Sequence, residues 1–535
     1  MPWGWPSLSA SVSWPGRCWS AGPGGPPIIG ASMRTLYRAT RVATLTHPGE
    51  GEWMLVDERH VERVGTGEPP AADRVVDLPG TTIIPGFIDA HVHLTGTGID
   101  RSGPPLAACR SPEALVATVA RAAAQRKGAL LCHGFDETAW DRPTLPTIGD
   151  LDRASARPLI VVRADGHVSL ANSPALAKSG VLGMRGVETG DGGDPTGVVR
   201  QEANWALQRW FHEGLSDREV QDYQLQAAAL AAARGITCVH EMAIPNSRGP
   251  RDFEVLMTHR DRLPVDAVPY VASMDIPFVI DFGLPRIGGD LSLDGSLGAR
   301  TAWLSRAYVD GEGRGVGYVE GDDLVEFFHN AHLAGLQVAV HAIGDAAIEQ
   351  VLASWERVYS ALDSRSRRHF RARRHRVEHF EMPSPDLVER AGMLGLAISI
   401  QPAFDSTWGS PGGLYEQRLG EDRAAAMNPF RTLLQRGIVV GAGSDSPVTP
   451  LDPMGGIEAL ENHHDPAERL TREEAIRLFT LGSAMLAHLD EKKGRLEPGA
   501  HADFAAYEQD PTTAPSVRGL EPVLTVSLGR EVFAR

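Results

Sequence analysis

Two hydrophobic periods alternate along most of the chain. Between about Pro85 and His488, short apolar runs of strand length give way to stretches with apolar residues at helical spacing, and the exchange repeats. Continuous apolar runs suit strands buried on both faces, and their alternation with helices predicts βα units around a parallel sheet. GLQVAVHAIGD followed by AAIEQVLASWERVYSAL is one such unit, and HRVEHFEM followed by PDLVERAGMLG is another. LAISIQP and GIVVGAGSD supply further strands. TREEAIRLF opens a helix on a capping box formed by Thr471 and Glu474.

The flanks read differently. From Thr35 to Ile84, segments such as VERVG and RVVDL alternate apolar and polar residues and are punctuated by turns, as do GRLEPGAHADFAAYEQDP and EPVLTVSLGREVFAR near the other end. Half-buried β structure is predicted for both. The two flanks, 33–84 and 489–535, are expected to pair into one small composite β-sandwich, leaving 85–488 as the central domain. Between 95 and 235 the chain is longer than one βα unit needs and holds ETGDGGDPTG, which predicts an insertion over the barrel mouth. Residues 1–32, rich in Pro, Gly, Ser and Trp, lack a basic segment followed by a continuous apolar stretch; they are expected to be a disordered leader, or to precede a true start at Met33.

Length and composition narrow the picture. A (β/α)₈ barrel takes roughly 250 residues, so the 535 residues leave room for a companion domain. The expected fold is therefore α/β, a TIM-type (β/α)₈ barrel with the composite β-sandwich. A net charge of -16 repels phosphate backbones and anionic lipid, which argues against nucleic-acid and membrane-surface partners. No apolar run reaches the roughly 18 residues that a membrane span requires. Cys18, Cys109, Cys132 and Cys238 are scattered, without a C-x-x-C pair, and read as reduced thiols of a cytoplasmic protein. The lysines are confined to Lys127, Lys178, Lys492 and Lys493.

The chemistry gathers at strand ends. IIPGFIDAHVHL closes an apolar run on Asp89, His91 and His93, whose side chains share one face of a strand. Both imidazoles reach one cation, and Asp89 is placed to receive a ring N–H from behind. His341 ends LQVAVHAIGD, His379 falls late in RHRVEHFEM, and Asp445 follows VVGAG. Asp345 reads as a helix N-cap. In a barrel of parallel strands all C-terminal ends open on one face, so these distant residues converge. Neutral imidazoles with a carboxylate suit zinc or another borderline divalent ion, one or two per chain. Such an ion activates water and polarises a carbonyl, and Asp445 is predicted as ligand and general base.

These motifs, PGFIDAHVHL, VHAIGD, RVEHFE and GSDSPV in that order, resemble the amidohydrolase superfamily, within the amidohydrolase-3 group that includes N-substituted formamide deformylases. VRADGHVSLANSPAL, GITCVHEM, LDGSLGARTAW and GRLEPGAHADF extend the resemblance from about Met33 to the C-terminus. It implies hydrolysis of a non-peptide carbon–nitrogen bond in a small molecule by metal-activated water. His91, His93, His341 and His379 are the implied ligands, and Asp445 the ligand and base. A deaminase or cyclic amidase on the same fold is the alternative, as is a non-catalytic barrel.

One departure stands out. Relatives place a lysine, carboxylated and bridging two metals, four residues before the Asp of the DGS motif. Here DGS begins at Asp294 and the matching residue is Asp290. No lysine falls on a predicted barrel strand, so a carboxylated lysine bridge is excluded. Asp290 or Glu241 as a bridge, or a single-metal site, remain open, with one metal favoured. The resemblance also places Trp140, Asp165 and His167 near the pocket, with His167 orienting the scissile carbonyl. Arg300 is expected either to hold an acidic substrate group or to pair with a surface carboxylate. A homodimer is the default assembly.

Overall fold

The computed structural model describes residues 33–46 and 49–535, so the expected leader lies outside the described residues. Its centre is built from parallel strands: β1 (Phe87–Val92), β2 (Ile236–Ala243), β3 (Asp266–Val271), β4 (Arg286–Ser292), β5 (Gln337–Ala342), β6 (Arg376–His379), β7 (Ala397–Ile400) and β8 (Val439–Ala442). They form a three-stranded sheet, β3-β2-β1, and a five-stranded sheet, β4-β5-β6-β7-β8. β3 packs along β4 without a ladder between them, and β8 approaches β1 through a parallel bridge from Val92 to Ser446.

Most of these strands are buried at every position, which is why they read as continuous apolar runs rather than alternating ones. The helices that follow them lie where the helical periodicity put them. Asp345–Ala361 follows β5, and Pro385–Leu394 follows β6, capped by Ser384 at its start and by left-handed Gly395 at its end. The capping box of Thr471 and Glu474 is present. Asp345 departs from expectation: Gly344 is the N-cap, and the Asp345 carboxylate accepts instead from Ser305 of a neighbouring loop.

The flanks do join. The long strand Arg74–Pro85 pairs with Arg34–Ala43 on one side and with Phe504–Tyr507 on the other, so the two described flanks share one seven-stranded sheet. By its hydrogen bonds this is a single sheet and not two, because one strand of 12 residues serves both halves. Residues 130–200 contribute a separate five-stranded mixed sheet, with helices 112–125 and 201–213 against it. This sheet stands beside the C-terminal ends of the parallel strands and supplies side chains to the cavity there.

Candidate metal centre

β1 carries His91 and His93 to its end, and the loop after β8 meets them. The Asp445 N–H donates to the His91 carbonyl at 2.8 Å, and the His93 N–H donates to the Ser446 carbonyl at 2.9 Å. Gly443 permits this approach, since a Cβ there would stand 2.4 Å from the His91 nitrogen. Asp445 itself has φ +56, and His379 has φ +70. Non-glycine residues in this region are strained, and such strain persists where surrounding structure and function hold it.

The side chains then converge. His93 Nε2 lies 3.1 Å and His91 Nε2 3.4 Å from Asp445 Oδ1. Their outer nitrogens are already engaged. His91 Nδ1 is 2.8 Å from Glu378 Oε2, and His93 Nδ1 is 2.7 Å from the Met242 carbonyl. Each ring thus directs Nε2, the nitrogen left free, toward Asp445. The spacing fits a metal: a tetrahedral ion with bonds of about 2.1 Å separates its donors by about 3.4 Å. His91 Nε2 and Asp445 Oδ1 are buried and lack a hydrogen-bond partner, as ligand atoms would.

Asp290, on β4, sits among the same imidazoles. Its Oδ1 is 2.9 Å from His341 Nδ1 and 3.6 Å from His379 Nε2, and its Oδ2 is 3.7 Å from His93 Nε2. Burial pushes this carboxyl up, but the hydrogen bonds from His341 and His379 outweigh it and hold Asp290 well below the usual carboxylate range. Burial likewise raises Asp445, and the charges of His91 and His93 bring it below its ordinary value. Burial opposes the charged form of His91 and of His341, yet the facing carboxylates lift both to about 9. The pocket therefore concentrates negative charge that a cation would meet, and a metal would displace these protons.

Several neighbours have other tasks than the sequence suggested. Asp89 does not receive a ring N–H. Its Oδ1 accepts the backbone N–H groups of His91 (3.1 Å) and Ser444 (2.9 Å), tying β1 to the loop after β8, while Glu378 orients His91. The Glu241 carboxyl accepts from the Leu94 N–H, and burial with the nearby Asp252 raises it to about 8. Asp294 clamps the backbone N–H groups of Trp303, Ile343 and Gly344.

The cavity over this cluster holds about 1100 Å³, its open mouth included. His167 and Asp165 line it. The His167 ring centroid is 6.4 Å from that of His341, and burial keeps the imidazole below its ordinary pKa. Asp165 accepts from Arg163 at 2.8 Å, from Ser296 at 2.7 Å and from the His167 N–H at 3.2 Å, so it positions the loop that carries His167. Trp140 is a correction. It packs beside Phe135 in the core of the 130–200 region and does not line the cavity, because the ETAWD loop turns it inward. Arg300 takes the second of its two expected roles: it is exposed, forms a two-pronged ion pair with Asp310, and does not line the cavity.

The sequence reading passed over His133, His212, Arg248 and Glu378. A signal existed for His133, late in the apolar run ALLCHGF. The others stand singly in helix or loop sequence, or beside a stronger neighbour. A second recess of about 420 Å³ opens next to His379 and is lined by Phe404, Trp408, Leu414, Tyr415 and Val448.

Comparison with known proteins agrees with this geometry. A family model described as "Amidohydrolase family" matches residues 74–533. The YtcJ protein of Bacillus subtilis (strain 168) is 28% identical over 530 residues, covering 90% of this chain and 95% of its own. N-substituted formamide deformylase of Arthrobacter pascens is 25% identical over 538 residues, covering 90% and 93%. Among solved structures, an uncharacterized metal-dependent hydrolase from Pyrococcus furiosus superposes with a TM-score of 0.71 at 27% identity, covering 90% of this chain and 100% of that one.

Proposed function

The chain belongs to the amidohydrolase family, and from that premise we propose that it hydrolyses a non-peptide carbon–nitrogen bond, of amide type, in a small molecule. The observation that carries this is the pairing of free Nε2 atoms on His91 and His93 with Asp445 Oδ1 at 3.4 and 3.1 Å, on rings whose other nitrogens are held. The similarity to N-substituted formamide deformylase over most of both chains supports the amide reading.

His91, His93 and Asp445 would hold one divalent ion, with His341, His379 and Asp290 closing the site around it. The donor types suit zinc. When bound, such an ion supplies Lewis acidity for a carbonyl oxygen and lowers the pKa of water. Asp445, ionised at neutral pH, takes the proton of the attacking water and delivers it to the departing nitrogen. His167, its imidazole held neutral by burial, donates a hydrogen bond to the scissile carbonyl oxygen. The recess of Phe404, Trp408 and Tyr415 takes an apolar substituent.

The architecture belongs to the same proposal. We read the eight parallel strands as one closed barrel, supported by the packing of β3 on β4 and the bridge between Val92 and Ser446. The sheet from the two described flanks is its companion domain, and the 130–200 sheet an insertion covering the mouth. The three described cysteines are buried and unpaired, which suits a reducing compartment. Among the described residues no helix is long and apolar enough to cross a membrane.

The test is elemental analysis of protein purified without added metal, followed by turnover of N-formyl and N-acetyl amines. About one equivalent of zinc-like metal with turnover supports the proposal. Failure to bind metal after reconstitution overturns it.

A further inference from the structure

In the larger cavity, outside the lining of the aromatic recess, a second polar group assembles around Arg248. This residue ends a short helix, Pro245–Arg248, directly after β2, at the face where the parallel strands end. Among the described residues its guanidinium forms no ion pair, and Nη1 is buried without a hydrogen bond. The carboxyls that feel its charge, Asp252 and Glu241, are engaged elsewhere. Asp252 accepts from Thr95 and Gln224, and Glu241 accepts from Leu94.

The surroundings have made room for it. At Gly96 a Cβ would lie 2.6 Å from Arg248 Nη2 and 3.2 Å from Pro447 Cδ, so the guanidinium rests against Gly96 and any larger residue there would push it aside. Two imidazoles complete the wall. His133 and His212 both line the cavity, and the Nδ1 of each is buried without a partner. Burial first, and the Arg248 charge second, depress them to about 4 and about 3, so both are neutral hydrogen-bonding groups at neutral pH. His133 also feels Asp165, His93 and Asp445, and it lines the same cavity as Arg248 and the candidate metal ligands.

Three buried, unpartnered nitrogen positions on one cavity wall, one of them on a guanidinium, are costly unless something polar meets them. We propose that Arg248, with His133 and His212, forms a carboxylate-binding subsite, and that the substrate is an amide bearing a carboxylate. The planar fork of a guanidinium matches a carboxylate with two parallel bonds. Among the described residues Arg248 is the sole arginine or lysine lining this cavity, and one positive charge suits a monoanionic carboxylate better than a dianionic phosphate. This inference names the substrate class of the hydrolase proposed above and rests on that reading for its chemistry, though not for its binding.

The test is calorimetric titration of metal-free protein with N-acetylphenylalanine and, separately, with its carboxamide, two ligands that differ in charge and little in shape. Wild type is expected to bind the acid about tenfold or more tighter than the carboxamide. Arg248→Met, which keeps the aliphatic stem, should erase that preference. Arg248→Lys should retain part of it, having the charge without the fork. Gly96→Ala should weaken it by displacing the guanidinium. Equal binding of the two ligands by wild type, or an undiminished preference in Arg248→Met, overturns the subsite. Should Arg248→Met fail to fold, an undiminished preference in both Arg248→Lys and Gly96→Ala overturns it equally. Metal content of the same wild-type preparation judges the hydrolase reading separately: acid preference without metal binding keeps the subsite and discards the hydrolase.

Discussion

His91 Nδ1 lies 2.8 Å from Glu378 Oε2, and neither side chain is exposed to solvent. Glu378 is in turn held by Arg376, whose Nη2 donates to the same oxygen at 2.7 Å and whose ring of contacts includes the Ala90 carbonyl and His240. The carboxylate therefore fixes the rotation of His91 and leaves its Nε2 toward Asp445. It also balances a guanidinium that has no access to water.

Both roles make Glu378→Gln informative. The variant is expected to lose metal affinity by about 10- to 100-fold, as for other partners that orient a ligating imidazole. Leaving Arg376 buried without its counter-charge should also cost about 3–5 kcal/mol of stability. Competition with a chelator reads the first effect and urea unfolding of the metal-free protein reads the second. Unchanged metal affinity would mean that Glu378 only pairs Arg376.

Asp290 is the residue that tests the number of metals. It stands where the resemblance leads us to expect a lysine, and it already reaches His341 Nδ1 at 2.9 Å. A single ion at His91, His93 and Asp445 leaves Asp290 to hold His341 and to add negative charge. Asp290→Asn should then keep about one equivalent of metal per chain while weakening its binding by about tenfold. Two equivalents in wild type falling to one in the variant would instead make Asp290 a direct bridge.

Much of this centre was legible in the sequence because strand geometry is regular. An apolar run buried on both faces must end somewhere, and a His, or a Ser-Asp just beyond, at that end projects to the mouth of the sheet. His91, His93, His341, His379 and Asp445 were found that way, and the structure brings them together. The partners that orient them were not legible. Glu378 is adjacent in sequence to His379 but serves His91, 287 residues away, across β6 and β1. Arg248 and His212 carry no periodic signal, since a single polar residue on a helix looks the same whether it faces water or a cavity. Trp140 misled for the converse reason: its residue type suits a pocket, and only the turn of the chain shows that it faces the core, whereas for Arg300 the structure selects the carboxylate pair, with Asp310, over a substrate contact.

Asp445→Asn separates the base from the ligand. Amide oxygen remains a metal donor, but it takes no proton at neutral pH. Turnover of an amide that wild type hydrolyses well should fall by about 10²- to 10⁴-fold, with metal still bound at saturating concentration. Steady-state rates measured on metal-saturated samples, with metal counted in each, provide the reading. Intact turnover with metal bound would move the base elsewhere.

His212 predicts how the protein meets acid. Its imidazole is buried, Nδ1 has no partner, and burial with the nearby Arg248 charge depresses it to about 3. In the unfolded chain it titrates near the ordinary value of about 6.5. The unfolded state thus takes up the proton first, so the neutral buried form contributes fully above about pH 6.5, and stability is lost as pH falls from there toward 3. At pH 5 the difference amounts to about 2 kcal/mol. His212→Asn removes the titration while keeping a polar side chain beside Phe211. Urea unfolding of metal-free protein at pH 7.5 and pH 5 should show the variant losing about 2 kcal/mol less than wild type between the two. Other buried imidazoles, such as His240 and His375, titrate alike in both proteins and cancel in the comparison. Equal losses would show that His212 gains a compensating partner on protonation.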